Sequence, residues 1–542
     1  MDLRHVPVLS GRSAVPIALA LLSGRALAQD SYLLGPAPAG GEVRQFDVSP
    51  DGHWAAYVDG FVRSVRVTGA EKEHLLDPRP VEDPLVFGQP LFRISPDSRR
   101  VVYGVFDGSA RLASVPIDGS APAIDLHEGL GEWAIAPDSS RVVLRTGSRS
   151  FDGDLVSLAI DGTGPAVVIL ANSRIGGFVV TPDSKRVVYT VSNAFGGGLL
   201  WVAPLDGSAP PLQLNSIATR ADPSGSYLLL IPRGGDRLVY RRGTQQTVGD
   251  LFSVPLDGSS SPIQLNAPGF YNLEWRPSKK PRFTSDGRSI AYTEIPDFPP
   301  REHRLFVAPV DGSSPAVALS TSLGTDGVFE WEFVDSGADV LFVHANGYDA
   351  QLYRCPSDGS EAPHSLSAPV AEPWYFKVPP GGTRAVFTAR HSPSAPFELW
   401  SVPIDGSEAP LRLSDSPGID GGVMNQRDSF GFAQAGKLVL YATDREGDFN
   451  FGEPSDVFRL WAVPIDGSAP PARIDGVTSR GGSVRFTTPT FALGSDSGVL
   501  FHVAANGKRL LYLADQRLDA TVELFATSLQ GVPSSPRWAG RK

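Results

Sequence analysis

"LWSVPIDGSEAPLRL", residues 399–413, decides the fold, because the chain writes a version of it ten times. Trp400, Val402 and Ile404 alternate with Leu399, Ser401 and Pro403, the period-two pattern of a strand with two unlike faces. Asp405-Gly406 follows, then a shorter apolar alternation at Leu411 and Leu413. Asp-Gly is favoured in a two-residue type I′ hairpin, where both central residues need positive φ, so each copy reads as strand, turn, strand. The other clear copies begin at Leu112, Leu155, Leu200, Leu251, Leu305, Leu352 and Leu460, and weaker ones at Val62 and Leu524. Their spacing runs from 43 to 64 residues. A period of that size marks a repeat architecture. Seven copies carry a proline two residues before the Asp, which cannot donate to a ladder and belongs at a strand end or bulge.

A second element precedes each copy. "FDVSPDGHWAAY" (46–57), "FRISPDSRRVVY" (92–103), "WAIAPDSSRVVL" (133–144) and "FVVTPDSKRVVY" (178–189) are the clearest. Ser-Pro-Asp-Gly fits a type I turn, with proline fixing φ at the second position and glycine at the fourth. One period is therefore four short antiparallel strands, a to d. A single such sheet has two faces to bury and cannot bury them alone. Stacking the sheets radially buries both, which makes an all-β β-propeller of about ten four-stranded antiparallel blades. No stretch sustains the 3.6-residue period of a helical solenoid. Typical propellers have four to eight blades, which favours two smaller rings in tandem. No linker interrupts the units, which favours one wide ring, the preferred expectation.

The succession F-x-x-S-P-D-G, V-V-Y, L-W-x-V-P-x-D-G-S resembles the WD40-like (PD40) repeats of the TolB family's propeller. Similar repeats occur in prolyl oligopeptidase-type and tricorn-type peptidases. The resemblance covers residues 42–538 and implies the scaffold alone. TolB carries an α/β domain ahead of its propeller, and here the first repeat strand starts near Val43.

Residues 1–28 differ from the rest. Arg4 and Arg12 precede an apolar core, residues 14–24, and "ALA" (26–28) stands before Gln29, the pattern of a secretory signal peptide cleaved after Ala28. The core is too short to span a bilayer. Cleavage takes away three arginines and Asp2, moving the formal net charge from -11 to -13. Residues 29–41 read as a short N-terminal segment, 42–538 as the propeller and 539–542 as a tail. No Lys/Arg-rich run appears, so nucleic acid is not an expected partner. Cys355 is the one cysteine, so no internal disulfide can form and its repeat position gives it a packing role. The expectation is a soluble, monomeric protein, exported to the periplasm or the exterior, with no transmembrane segment after cleavage.

In an up-and-down sheet the turns alternate between two ends. The a–b (SPDG) and c–d (DGS) turns share one face of the ring, and the b–c and d–a connections share the other. The first set is short and uniform and reads as scaffold. The second holds nearly all the length variation, in "EIPDFPPREH" (294–303), "RHSPSAPFE" (390–398), "DREGDFNFGEPSDVF" (444–458), 416–429 and 475–497. Long loops on a rigid frame are where binding residues concentrate. The partner-binding candidates there are Glu294, Asp297, Arg301, His303, His344, Trp374, Arg390, His391, Arg445 and Phe449.

Chemistry is sparse. A hydrolase would need G-x-S-x-G, and "GSDSG" (494–498) has Asp496 at the serine position. "SPDGHW" (49–54) misses the sialidase Asp-box spacing by one residue. His303, His344 and His391 lie in b–c loops of three successive units and could hold a metal if neighbouring blades brought them together. Asp444, Glu446, Asp448, Asn450 and Glu453 place oxygen ligands at near-alternate positions, which suits calcium or another divalent cation, although Phe449 stands where an EF-hand needs glycine. No cofactor is otherwise expected. Trp374 and Tyr375 enter an inner strand, where they would either pack between blades or stack on a sugar or peptide. The expected function is a non-catalytic scaffold binding a protein or cell-envelope component through the variable-loop face. The alternative is a propeller enzyme of polysaccharide lyase or hydrolase type, with a metal or carboxylate site at the channel mouth. A small-ligand or glycan sensor would instead need an aromatic-lined pocket there.

Overall fold

The computed structural model describes residues 32–35, 42–69, 71–81, 90–146, 152–192, 198–216, 229–242, 250–267, 271–273, 280–296, 303–320, 323, 327–334, 337–346, 349–367, 372–392, 395–414, 422–425, 427–444, 458–475, 484–485, 501–505, 507–514 and 522–530. The strands form ten antiparallel sheets, and helix is almost absent among these residues. Blade 1 shows the plan: Gln45–Val48, Trp54–Val58, Val62–Arg66 and His74–Leu75 pair in chain order, each strand with the next. Blades 6, 9 and 10 break strand a into two pieces that pair with the same strand b.

The ten sheets close into one ring. Each of ten apolar clusters is built from two successive blades, from blades 1 and 2 (Trp54, Phe92, Tyr103) to blades 9 and 10 (Leu440, Tyr512). The tenth joins blade 10 to blade 1 through Leu511, Leu524, Phe46 and Tyr57. Two tandem rings would leave one of these seams missing, so the tandem alternative is set aside. The last sheet is completed from the other end of the chain: Tyr32–Gly35 pairs antiparallel with Glu523–Ser528, Leu33 facing Phe525. This strand lies in the segment read above as standing outside the repeats. It closes the ring with hydrogen bonds that join its first and last strands. Val43 N–H adds another across the same seam, to the Val522 carbonyl at 3.1 Å.

The repeated residues explain why each sheet holds. The tyrosines at the V-V-Y position (Tyr57, Tyr103, Tyr189, Tyr240) are fully buried on strand b. In several blades strand c offers an aromatic directly opposite and the rings stack: Tyr240 on Phe252 at 5.8 Å, Tyr292 on Phe306 at 5.7 Å and Phe342 on Tyr353 at 5.6 Å. Facing aromatic pairs are among the strongest cross-strand contacts. Seams are also pinned by inner-strand cations lying over the next blade's aromatic: Arg93 over Trp133 at 5.6 Å, Arg282 over Trp331 at 5.4 Å and Lys377 over Phe430 at 5.4 Å. At the closing seam His502 takes that place, edge-on to Phe46 at 5.1 Å.

The a–b turn forms as expected, Gly52 N–H donating to the Ser49 carbonyl at 2.7 Å. The c–d turn does not. Only its glycine has positive φ (Gly119 at 66°, Gly406 at 70°), and the preceding Asp stays out of the left-handed region. The glycine N–H closes on the proline carbonyl (Gly119 to Pro116, 3.1 Å). The Asp side chain accepts the next Ser N–H instead (Ser120 to Asp118, 3.0 Å). Strand d resumes pairing only at Ile124 opposite Ser114, so the bend opens a wide loop and the twist-matching type I′ geometry is not required. In seven blades strand d is reduced to a two-residue remnant.

Candidate functional site

The two ends of the ring are assigned by what lines them. At one end, a–b residues 97–100 and 139–141 and c–d residues 116–118 and 159–163 border a single depression of about 860 Å³. The SPDG and DGS turns therefore share a face. Successive a–b turns are stitched together: Asp51 N–H donates to Ser98 Oγ, Asp97 N–H to Ser139 Oγ and Asp138 N–H to Ser184 Oγ, at 3.0, 3.0 and 2.9 Å. Those serines hold φ of 65°, 64° and 60°, the place Gly52 takes in blade 1. A left-handed serine costs about 1 kcal/mol or more, and the stitch offsets it. This face is a fastening.

The opposite face carries a recess between blades 7 and 8. Strand a of blade 7, Gly327–Val334, pairs Val328 with His344 and Glu330 with Val343, so Phe329 is an extra residue in a bulge. Strand a of blade 8, Pro373–Lys377, pairs Pro373 with Ala389 and Phe376 with Phe387, which leaves Trp374 and Tyr375 opposite Thr388 alone. Bulges re-aim side chains, and they recur beside functional sites. Here both turn an aromatic outward. Phe329 is 43% exposed and Trp374 39%, whereas the in-register neighbours Trp331 and Phe376 are fully buried.

The two rings stand 6.1 Å apart at 38°, and Phe397 lies edge-on to Trp374 at 6.4 Å, so three aromatics form a row. Phe329 and Trp374 border a cavity of about 340 Å³ with Ala345, Ala350 and Pro373, close to the lower limit for small-ligand sites. Its charged lining is one ion pair, Arg390 Nε to Glu372 Oε2 at 2.5 Å. Arg390 also lies over Phe397 at 5.1 Å. Glu372 is buried with φ of 50°, a strained backbone for a non-glycine residue. Strain of this kind, of order 1–3 kcal/mol, persists where the surroundings impose it, and it collects at binding sites. Behind the aromatic row, buried Glu398 is held by Arg412 at 3.0 Å and His391 at 3.2 Å, and His391 stands edge-on to Trp400 at 5.7 Å.

Of the residues singled out in the sequence, Trp374, Arg390 and His391 come together here. His344 is buried in blade 7, edge-on to Tyr353 at 6.4 Å. His303 contributes backbone, its carbonyl accepting Val328 N–H at 2.8 Å. Glu294 is buried in strand b of blade 6, where desolvation raises its carboxyl pKa against the opposing effects of Asn266 and Arg304. The three histidines thus go to separate tasks. Among the described residues no three His, Cys, Asp or Glu side chains gather as metal ligands. Asp297, Arg301, Arg445, Glu446, Asp448, Phe449, Asn450 and Glu453 lie outside the described residues, and Asp444 is described only as the end of strand b in blade 9. Cys355 is buried at the seam of blades 6 and 7, as its repeat position implied, with its thiol pKa pushed up to about 11 by burial.

Phe329, Glu372, Phe397 and Glu398 were not anticipated. Their signal is faint: in "GVFEWEF" (327–333) Phe329, Trp331 and Phe333 alternate as if on one face, and nothing in the pattern marks the bulge that takes Phe329 off it.

No protein-family model matches the chain, and no curated protein matches its sequence. Among solved structures it is similar to a putative TolB from Agrobacterium tumefaciens, at 17% identity over 46% of this chain and 83% of that one, TM-score 0.25. It is also similar to a eukaryotic initiation factor (11% identity, 68% and 87% covered, TM-score 0.45). A third is an oligogalacturonate lyase in complex with manganese (14%, 74% and 99%, TM-score 0.34). No functional reading rests on these likenesses.

Proposed function

We propose that this chain is an exported, non-catalytic β-propeller that binds a protein or cell-envelope component on its b–c/d–a face, centred on the recess between blades 7 and 8. The observation that carries the reading is the pair of outward aromatics, Phe329 and Trp374, each on a bulged inner strand and both bordering one cavity. Partly exposed aromatics on rigid strands are typical binding anchors, because they offer a large apolar area at little entropic cost. The recess fits the pocket that a ligand sensor would need, and its lining is mainly apolar.

The test is site-specific photo-cross-linking in the producing cell, with benzoylphenylalanine placed at Phe329 or, on the turn face, at Arg99. A discrete cross-linked species from position 329 that vanishes when Trp374→Ala is added supports the reading. The same species from position 99, or one indifferent to Trp374→Ala, overturns it. N-terminal sequencing of the exported protein checks the export arm, with Gln29 as the expected first residue.

A further inference from the structure

We infer that the recess between blades 7 and 8 takes an uncharged apolar group of an extended peptide, specifically a proline-rich segment in the polyproline II conformation. This rests on the reading of the recess as the binding site. Charge comes first. The cavity holds one cation and one anion, Arg390 and Glu372, already closed on each other. A cationic ligand attracted to the aromatic faces would meet the Arg390 guanidinium, and an anionic one the Glu372 carboxylate. The group that enters without breaking the pair is neutral.

Polarity narrows the class further. A sugar presents hydroxyls that need several polar partners, and here the remaining walls are Ala345, Ala350, Pro373 and two aromatic rings. A proline ring needs only such walls. Polyproline II segments dock on aromatic-lined grooves, and they arrive already ordered, so little conformational entropy is lost on binding. The spacing agrees: the two rings that border the cavity, Phe329 and Trp374, stand 6.1 Å apart. Two residues of polyproline II advance about 6 Å along its axis. One directional contact is also on offer. Among the described residues the indole N–H of Trp374 has no hydrogen-bond partner, and the solvated carbonyls of a polyproline II chain are acceptors.

The experiment pans a random dodecapeptide library displayed on phage against the full mature chain, with Trp374→Ala as counter-selection and Arg99→Ala as control. Circular dichroism checks that each variant is folded. A panel of oligosaccharides is titrated in parallel. The expected result is enrichment of peptides with two prolines two residues apart. Their affinity falls at least tenfold in Trp374→Ala, falls less in Trp374→Phe, which keeps an aromatic face and loses the indole N–H, and is unchanged in Arg99→Ala. Trp374-dependent peptides without proline enrichment, or a Trp374-dependent oligosaccharide, overturn the ligand class and leave the recess as the binding site. If folded Trp374→Ala retains every ligand found, or no ligand is found, the ligand class and the recess reading fall together.

Discussion

The two ends of the ring are made by the same ten sheets and differ in what their turns have to do. On the turn face, side chains are spent on fastening: each Asp N–H between Asp51 and Asp138 finds the serine of the next blade, and the left-handed serines are held by that bond. On the loop face, blades 7 and 8 leave two large aromatics partly in water and hold a buried glutamate in a strained conformation. Register makes the difference. Where strands a and b pair residue for residue, the aromatic at strand entry goes into the seam. Where one residue is added, the ladder puts the extra aromatic outside. Scaffold and site come from one repeat, separated by a bulge.

The largest effect should come from neither face but from the closure that holds both. A chain beginning at residue 37 loses strand Tyr32–Gly35, the buried Leu34 and three paired positions, a destabilisation on the order of 5 kcal/mol from burial and ladder bonds together. Chemical denaturation measures it, and an unchanged midpoint would break the closed-ring account. Next, two tryptophans contrast seam with recess. Trp133→Ala empties a buried site between blades 2 and 3 and should cost about 3–5 kcal/mol. Trp374→Ala should cost less than about 1 kcal/mol of stability and at least tenfold in partner affinity. Equal stability costs would mean that Trp374 is a core residue after all.

Smaller effects sharpen the turn face. Ser139→Ala removes the acceptor for Asp97 N–H while keeping φ at 64°, a loss of about 1 kcal/mol. Ser139→Gly removes the same bond but relieves the left-handed strain, so it should be nearly neutral. If the two substitutions cost the same in thermal denaturation, strain is not part of the stitch.

The smallest effect is a pH dependence at the closing seam. Burial lowers the His502 pKa from its ordinary 6.5, against the opposing charge of Asp47. The unfolded chain therefore takes up the proton first, and this group's stability is present above pH 6.5 and lost as pH falls through the folded value. Burial raises the Asp47 pKa from 3.8, against the charges of His502 and Arg93. Its contribution has the opposite sign, present at low pH and lost as pH rises through its folded value. Comparing melting temperatures at pH 7.5 and 5.5, His502→Phe should flatten the loss below pH 6.5, by no more than about 1.4 kcal/mol per pH unit. A steeper dependence in the variant would contradict the assignment.

The blades were legible because their determinants are local. Ser-Pro-Asp-Gly and Val-Val-Tyr specify turn and strand within a dozen residues, and ten repetitions fix the architecture. Three features were not legible, each for a physical reason. The Asp-Gly turn was read as type I′ because sequence does not show how far apart strands c and d stand. Strand Tyr32–Gly35 carries no repeat motif, and its partner lies almost five hundred residues away, so nothing local announces it. The sequence leaves Trp374 open between core packing and stacking on a ligand because composition does not reveal a one-residue shift of register, and that shift is what exposes it. Arg390 and His391 were found by loop length alone, whereas their partners Glu372 and Glu398 sit at strand ends, where a carboxylate looks like any solvated residue.

Hydrogen–deuterium exchange of the protein, alone and with the partner recovered by cross-linking at Phe329, tests the central claim most directly. New protection should appear over Gly327–Val334 and Pro373–Lys377, with none over residues 95–100 and 117–120. Protection confined to the turn residues would show that the fastened face is the one that binds.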